Sequence, residues 1–377
     1  MQRIGLPDPR VTIAGAIDLD VNAAGVVPRR LSNRWRYQLP LDVEVLASSP
    51  SGVRLVFTTT SPSIALEVLA THFQLGRGPG FRAAIDLVAD GELVASTAFT
   101  EGHVIVVDAV TGAFSFVPGE PTTITFDDLP AADHVELWLP SNSLVELRAI
   151  SIDDGASLSA APPDERRRWV HHGSSISHCL EADGGSRTWP STAARLGDVQ
   201  LTNVALAGQC HLDGFTARTM RDQPADLLSL KIGINIVNHD SLRLRTFAPA
   251  LHAFIDTVRE GHPDTPFVVL SPIICPAHEH HAGPSDGSSG TTVALGTPIT
   301  QAQGALTLTQ IRGIVQSVVE ARQKEGDANL HYLDGRTLFD EADVGDLPDG
   351  LHPNAAGYVR MGERFAAYAF TADGPFA

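Results

Sequence analysis

The sequence predicts an α/β protein in two parts. Residues 1–160 read as an all-β sandwich of jelly-roll type, and residues 161–377 as a flavodoxin-like three-layer αβα unit with about five parallel strands. Two observations predict this. Before residue 160, short β-rich runs alternate with turns, as in sandwiches and jelly rolls. After it, strand and helix patterns alternate, which implies a parallel sheet covered on both faces. Between the two, "GASLSAAPPDERRR" (155–168) is small, proline-containing and charged, and reads as a linker.

The N-terminal runs are "VRLVFTTT" (53–60), "IALEVLATHFQL" (64–75), "AAIDLVADGELVAS" (83–96), "HVIVVDA" (103–109), "TTITFDD" (122–128), "HVELWLP" (134–140) and "LVELRAISI" (144–152). "ADGEL" and "PSNS" supply turns, and no long helix is expected here. In the second part "RWVHH" is a short strand. "WPSTAARLGD" is a helix with Pro190 in its first turn and Gly197 as its stop. "VQLTNVAL", "LLSLKIGINIV", "PFVVLSPII" and "ANLHYLD" are strands. Leu251, Phe254, Ile255 and Val258 recur at helical spacing, as do Ile311, Ile314, Val315, Val318 and Val319. A final helix starts near Asn354.

Hydrophobic residues are 43% and charged residues 19% of the 377, enough to bury a large core. The formal net charge is -17, with 44 acidic and 27 basic side chains and no Lys/Arg stripe, so neither nucleic acid nor an anionic membrane surface is an expected partner. The first residues contain no apolar segment of the secretory kind, and no run reaches the ~20 apolar residues of a membrane span, so the expected location is the cytoplasm. Cys179, Cys210 and Cys275 are odd in number and widely spaced, neither a disulfide framework nor a zinc pattern, and are expected to be buried thiols.

Ligands of open parallel sheets bind beyond the carboxyl ends of the strands, so polar residues there carry the search for chemistry. "HHGSS" (171–175) places Ser174 and Ser175 at a strand-to-helix junction; a helix cap is the plainer alternative. "ALAGQCHLDG" offers the unhindered backbone of Gly208, or only a loop glycine. "GINIVNHD" places Asn235 near the end of an apolar strand, or in a turn. "DGLHPN" sets Asp349 and His352 three residues apart. The carboxylate can then hold the imidazole with Nε2 outward as a base, though a surface histidine fits the fragment too.

Ser, Gly, Asn and Asp-x-x-His in that order, each beside a strand or helix boundary, resemble the blocks of the SGNH (GDSL-like) hydrolase superfamily, over roughly residues 168–370. "GSSIS" resembles the first block, and the resemblance makes Ser175 the nucleophile. It makes Ser175, Gly208 and Asn235 the oxyanion donors and Asp349 and His352 the remaining pair of the triad. Ser174 and Ile236 stand where the family often has aspartate, which alters pocket polarity and removes no catalytic atom. Within the superfamily the two-part chain is similar to GDSL-like acyltransferases that tailor natural products such as polyketides. That likeness implies an acyl-CoA donor as co-substrate, a small-molecule alcohol acceptor and no bound cofactor. The alternatives are a carboxylesterase or carbohydrate O-deacetylase and, in another class, a non-catalytic carbohydrate-binding protein.

Two further motifs resemble functional sites only on the surface. "GPSDG" (283–287) fits the G-x-S-x-G elbow around Ser285 but lies in a polar, glycine-rich loop, without the strand and helix that motif needs. "HEHH" (278–281) reads as a solvent-facing loop, and no metal is expected there. The stretch 276–306 is long for a connection, as lids and substrate walls often are.

Overall fold

The computed structural model describes residues 1–75, 80–107, 113–296, 301 and 303–377. Among these, the N-terminal strands form two sheets packed face to face. The first is centred on Ile64–Leu75 and Ser143–Ile152, paired antiparallel with a bulge between Leu147 and Ala149. The second carries Arg54–Thr59, Val135–Trp138 and Ala83–Ala89 side by side. Their inner faces close on Leu66, Val68, Val145 and Leu147 from one sheet and Leu55, Phe57, Ile85 and Leu137 from the other, all buried. This is the predicted sandwich. Asp90 (φ 47) and Gly91 (φ 85) make the left-handed turn expected at "ADGEL". The strand expected over 103–109 runs from His103 to Val107; its last two residues lie outside those described.

The second part is the predicted αβα unit. Its elements are β1 (Arg168–Gly173), α1 (Ser175–His178), α2 (Trp189–Leu196), β2 (Gln200–Asn203), α3 (Gly214–Asp222), β3 (Leu227–Lys231), α4 (Ile234–Asn238), α5 (Leu244–Arg259), β4 (Phe267–Leu270), α6 (Leu308–Lys324), β5 (Leu330–Leu333) and α7 (Ala355–Ala369). The strands pair in parallel in the order β2-β1-β3-β4-β5. Helices α2 and α7 pack together, and α5 packs with α3 and α6. With both faces covered, β4 (Phe-Val-Val-Leu) is wholly buried, as the apolar run requires.

Three expectations change. The apolar run 227–237 is not one strand: it ends at Lys231, Gly233 breaks it, and Ile234–Asn238 turns into α4, so Asn235 lies in the first turn of a helix. Periodicity alone cannot separate a buried strand from a short buried helix. The run 199–206 keeps regular strand pairing only over Gln200–Asn203, though Val204 and Leu206 still donate to the carbonyls of His171 and Gly173. "HEHH" is not simply solvent-facing. His278 is fully buried, with Nε2 2.6 Å from Ser285 Oγ, and Glu279 pairs with Arg312, leaving only His280 and His281 exposed.

The two parts are also joined through the core. Leu31, Val43 and Ala47, the last two from the short helix Leu41–Ala47, pack into the core of the αβα unit. The fully buried Arg30 guanidinium donates to the carbonyls of Leu46, Ser49, Asn203 and Ala205. Burial pushes its pKa down to about 9.

Candidate active site

Strand β1 ends at Gly173 on the carboxyl edge of the sheet, where a Cβ would stand 2.4 Å from Ser177 Oγ, so the packing of α1 against the strand end leaves no room for a side chain. Ser174 caps α1, accepting from the Ile176 N–H. Ser175 is therefore the first residue of the helix, where backbone N–H groups lack intrahelical partners. Both readings of "GSSIS" hold together: one serine caps, and the next presents its hydroxyl to a cleft, 8% exposed.

The Ser175 hydroxyl donates to His352 Nε2 at 2.8 Å. His352 Nδ1–H donates to Asp349 Oδ2 at 2.6 Å, which fixes the tautomer. Asp349 Oδ1 accepts the backbone N–H groups of Leu351 (2.9 Å) and His352 (2.7 Å), so the D-x-x-H turn is closed by its own carboxylate. Burial opposes ionisation of Asp349, but these hydrogen bonds and the His352 charge hold its pKa at about 2. Burial also works against the charged form of His352; the Glu181 charge and the Asp349 hydrogen bond outweigh it and raise its pKa above 6.5.

Gly208 has φ +71, and a Cβ there would meet nothing within 4 Å, so its identity serves the backbone rather than space. The loop that carries it is braced on both sides. Ala207 N–H donates to His178 Nδ1 (3.2 Å), while His178 Nε2 meets Ser49 Oγ (3.0 Å) and Arg30 (3.3 Å). Cys210 N–H donates to Asn235 Oδ1 at 3.1 Å. That bond orients the Asn235 amide, 2% exposed, and leaves its Nδ2 for the cleft.

Ser175, Gly208, Asn235, Asp349 and His352 thus line one cleft of about 550 Å³. Its apolar wall is built by both parts of the chain: Leu46, Phe73, Phe81 and Val107 from the first, Leu180 and Leu351 from the second. Ser285 lies elsewhere. Its partner His278 turns Nδ1 to a carbonyl, that of His281, rather than to a carboxylate. The 276–306 stretch touches the site from outside, where Thr292 N–H donates to the Asp349 carbonyl at 2.7 Å; residues 297–300 and 302 of it lie outside those described. Among the described residues no group of three or more His, Cys, Asp or Glu is set to hold a metal.

Sequence reasoning did not single out Glu181, Tyr358, His178 or Arg30. Glu181 Oε1 is 3.7 Å from His352 Nδ1, and Glu181 Oε2 accepts from the Tyr358 hydroxyl at 2.7 Å. His178 directly follows "GSSIS", and Tyr358 comes four residues after "HPN"; neither position has a local pattern that marks it.

Residues 172–360 match the GDSL-like lipase/acylhydrolase family. A curated relative, a multidomain esterase of Ruminococcus flavefaciens, is 28% identical over 154 residues, which is 40% of this chain and only 17% of that protein. Among solved structures, the salicylyl-acyltransferase SsfX3 from a tetracycline biosynthetic pathway superposes with a TM-score of 0.78 at 28% identity, over 97% of this chain and 95% of that one. A GDSL-like lipase from Bacteroides ovatus gives 0.68 at 19% identity over 97% and 96%. A family two carbohydrate esterase from Clostridium thermocellum gives 0.60 at 15% over 95% and 97%. The last two are likenesses of fold.

Proposed function

Because the chain belongs to the GDSL-like lipase/acylhydrolase family and is an SGNH-type enzyme, we propose that it transfers acyl groups through an acyl-enzyme on Ser175. The observation that carries this is the 2.8 Å contact between Ser175 Oγ and His352 Nε2 inside a cleft walled by apolar side chains. His352 takes the serine proton as Oγ attacks the donor carbonyl, and Asp349 orients the ring and stabilises the imidazolium. The backbone N–H groups of Ser175 and Gly208 and the Asn235 Nδ2 meet the oxyanion. The imidazolium then protonates the leaving group. In the second half-reaction His352 takes the proton of the acceptor hydroxyl, the acceptor oxygen attacks the acyl carbonyl, and the imidazolium returns that proton to the departing Ser175 Oγ, which gives the ester and the free enzyme.

The donor in this reading is an acyl-CoA and the acceptor a hydroxyl of a small molecule such as a polyketide. The 28% identity to SsfX3 over nearly the whole chain supports it, as does the apolar wall, which suits a bulky acyl group or acceptor better than acetate. An acyl-CoA donor is a cytoplasmic metabolite, so the reading carries a cytoplasmic location with it. The identity to a multidomain esterase favours a second reading, in which water is the acceptor and the enzyme is a carboxylesterase or carbohydrate O-deacetylase. Exclusion of water and placement of the acceptor decide between the two. Incubation with a panel of acyl-CoAs, with and without candidate alcohols, separates them. Thioester loss matched by new ester is the expected result, and free acid alone in every reaction would overturn the transferase reading.

A further inference from the structure

His352 faces two carboxylates. Asp349 takes the Nδ1 proton at 2.6 Å, and Glu181 Oε1 stands 3.7 Å from the same nitrogen. The second is too long for a hydrogen bond and short enough for a strong charge interaction in a half-buried site. Glu181 follows α1 closely, so the turn that presents the nucleophile also presents this carboxylate. It is tethered from the opposite side: Tyr358 on α7 is fully buried and donates its hydroxyl to Glu181 Oε2 at 2.7 Å. Burial and the neighbouring Glu181 charge push the Tyr358 phenol well above its ordinary range, so it stays a donor.

Other elements supply few competing charges at the ring. Ser175 approaches Nε2, and Cys275, after β4, bonds through Sγ to the Gly350 carbonyl of the Asp349–His352 turn. Arg82, Asp183 and Arg187 share with Glu181 a neighbouring cavity of about 330 Å³, where Arg187 is paired with Asp86. The tether therefore fixes Glu181 toward the histidine and not toward these cations.

We propose that Glu181 is a positioning residue for the reaction, a second carboxylate held by Tyr358 that shares with Asp349 the stabilisation of the His352 imidazolium. The inference rests on the serine-nucleophile reading. It gives the site four side chains acting on the proton relay instead of three, with the extra charge supplied by the segment next to the nucleophile.

The test is the pH dependence of kcat/KM for an activated ester in wild type, Glu181→Gln and Tyr358→Phe. Glutamine keeps an acceptor for Tyr358 and removes only the charge. The acid limb, which reports the histidine that must be neutral to act, moves to lower pH by about one unit, the low end of what an opposite charge at this range produces. Glu181 also lines the cleft, so KM is measured beside the profile, and a role through His352 is read from the position of the acid limb rather than from KM. Tyr358→Phe keeps the charge but frees it, and gives a smaller shift in the same direction, which also serves if Glu181→Gln folds poorly. An acid limb in the same place in Glu181→Gln, or in Tyr358→Phe should only that variant fold, overturns the proposal. Fluorophosphonate labelling of wild type is run beside it: an unreactive Ser175 would count against the serine reading itself, whereas a reactive Ser175 with an unmoved limb counts against Glu181 alone.

Discussion

Replacing Asn235 by alanine removes two things at once, and the structure separates them. In the proposed mechanism the Nδ2 group is the side-chain donor to the oxyanion, and losing one such donor lowers kcat about 10²–10³-fold. The Oδ1 atom accepts the Cys210 N–H at 3.1 Å, and Asn235 is 2% exposed, so alanine also leaves that N–H buried without its partner. An unsatisfied buried donor costs about 1–3 kcal/mol. Alanine should therefore lower both kcat and the urea midpoint, with KM close to wild type, because the lost donor acts on charge that develops only in the transition state. Aspartate keeps the acceptor for Cys210 and replaces the donor by a negative charge. It should hold more of the stability and lose at least as much kcat as alanine. The assay is steady-state hydrolysis of an activated ester together with urea unfolding of the same samples. Alanine within about threefold of wild-type kcat, well short of the loss expected for an oxyanion donor, would refute the oxyanion role. An aspartate variant less stable than alanine would refute the bracing role.

Three further outcomes follow. Since the His352 pKa is raised and the base must be neutral, kcat/KM should climb with pH through a midpoint above 6.5, and a midpoint well below that would contradict the two-carboxylate environment. Gly208→Ala needs a side chain at φ +71, a strain of order 1–3 kcal/mol at a spot with open space, so kcat should fall through displacement of the N–H while thermal stability drops modestly; unchanged kcat would remove Gly208 from the oxyanion hole. Arg30→Met strips the carbonyls of Leu46, Ser49, Asn203 and Ala205 of their shared donor and should cost at least about 3 kcal/mol in urea unfolding, with activity lost in step. An unaltered midpoint would mean the two parts do not depend on that bracket.

The parts of the fold and site that could be read from the sequence are those carried by local patterns in a fixed order. Ser175 and Asn235 sit at the starts of short helices, Gly208 and the Asp349–His352 pair lie in the loops after β2 and before α7, and all five reach one cleft. Asn235 shows the limit of periodicity: the apolar residues on either side of it look like one strand, and the break is a single glycine with φ +129. His278 shows the limit of composition. A histidine in a polar run is buried because the chain wraps it against Ser285, which no local property foretells. Arg30, Glu181 and Tyr358 were not legible at all. Arg30 meets its carbonyl acceptors up to 175 residues away, and Glu181 meets Tyr358 across 177, so their roles exist only once the sandwich, α1 and α7 have packed together.

The central claim is that the hydroxyl at 175 is the nucleophile and that the imidazole at 352 activates it. Intact-protein and peptide mass spectrometry after fluorophosphonate treatment tests this directly. The account predicts one adduct per chain, on Ser175, absent in Ser175→Ala and formed far more slowly in His352→Ala. An adduct on Ser285, or labelling of Ser175 at the same rate without His352, would contradict it.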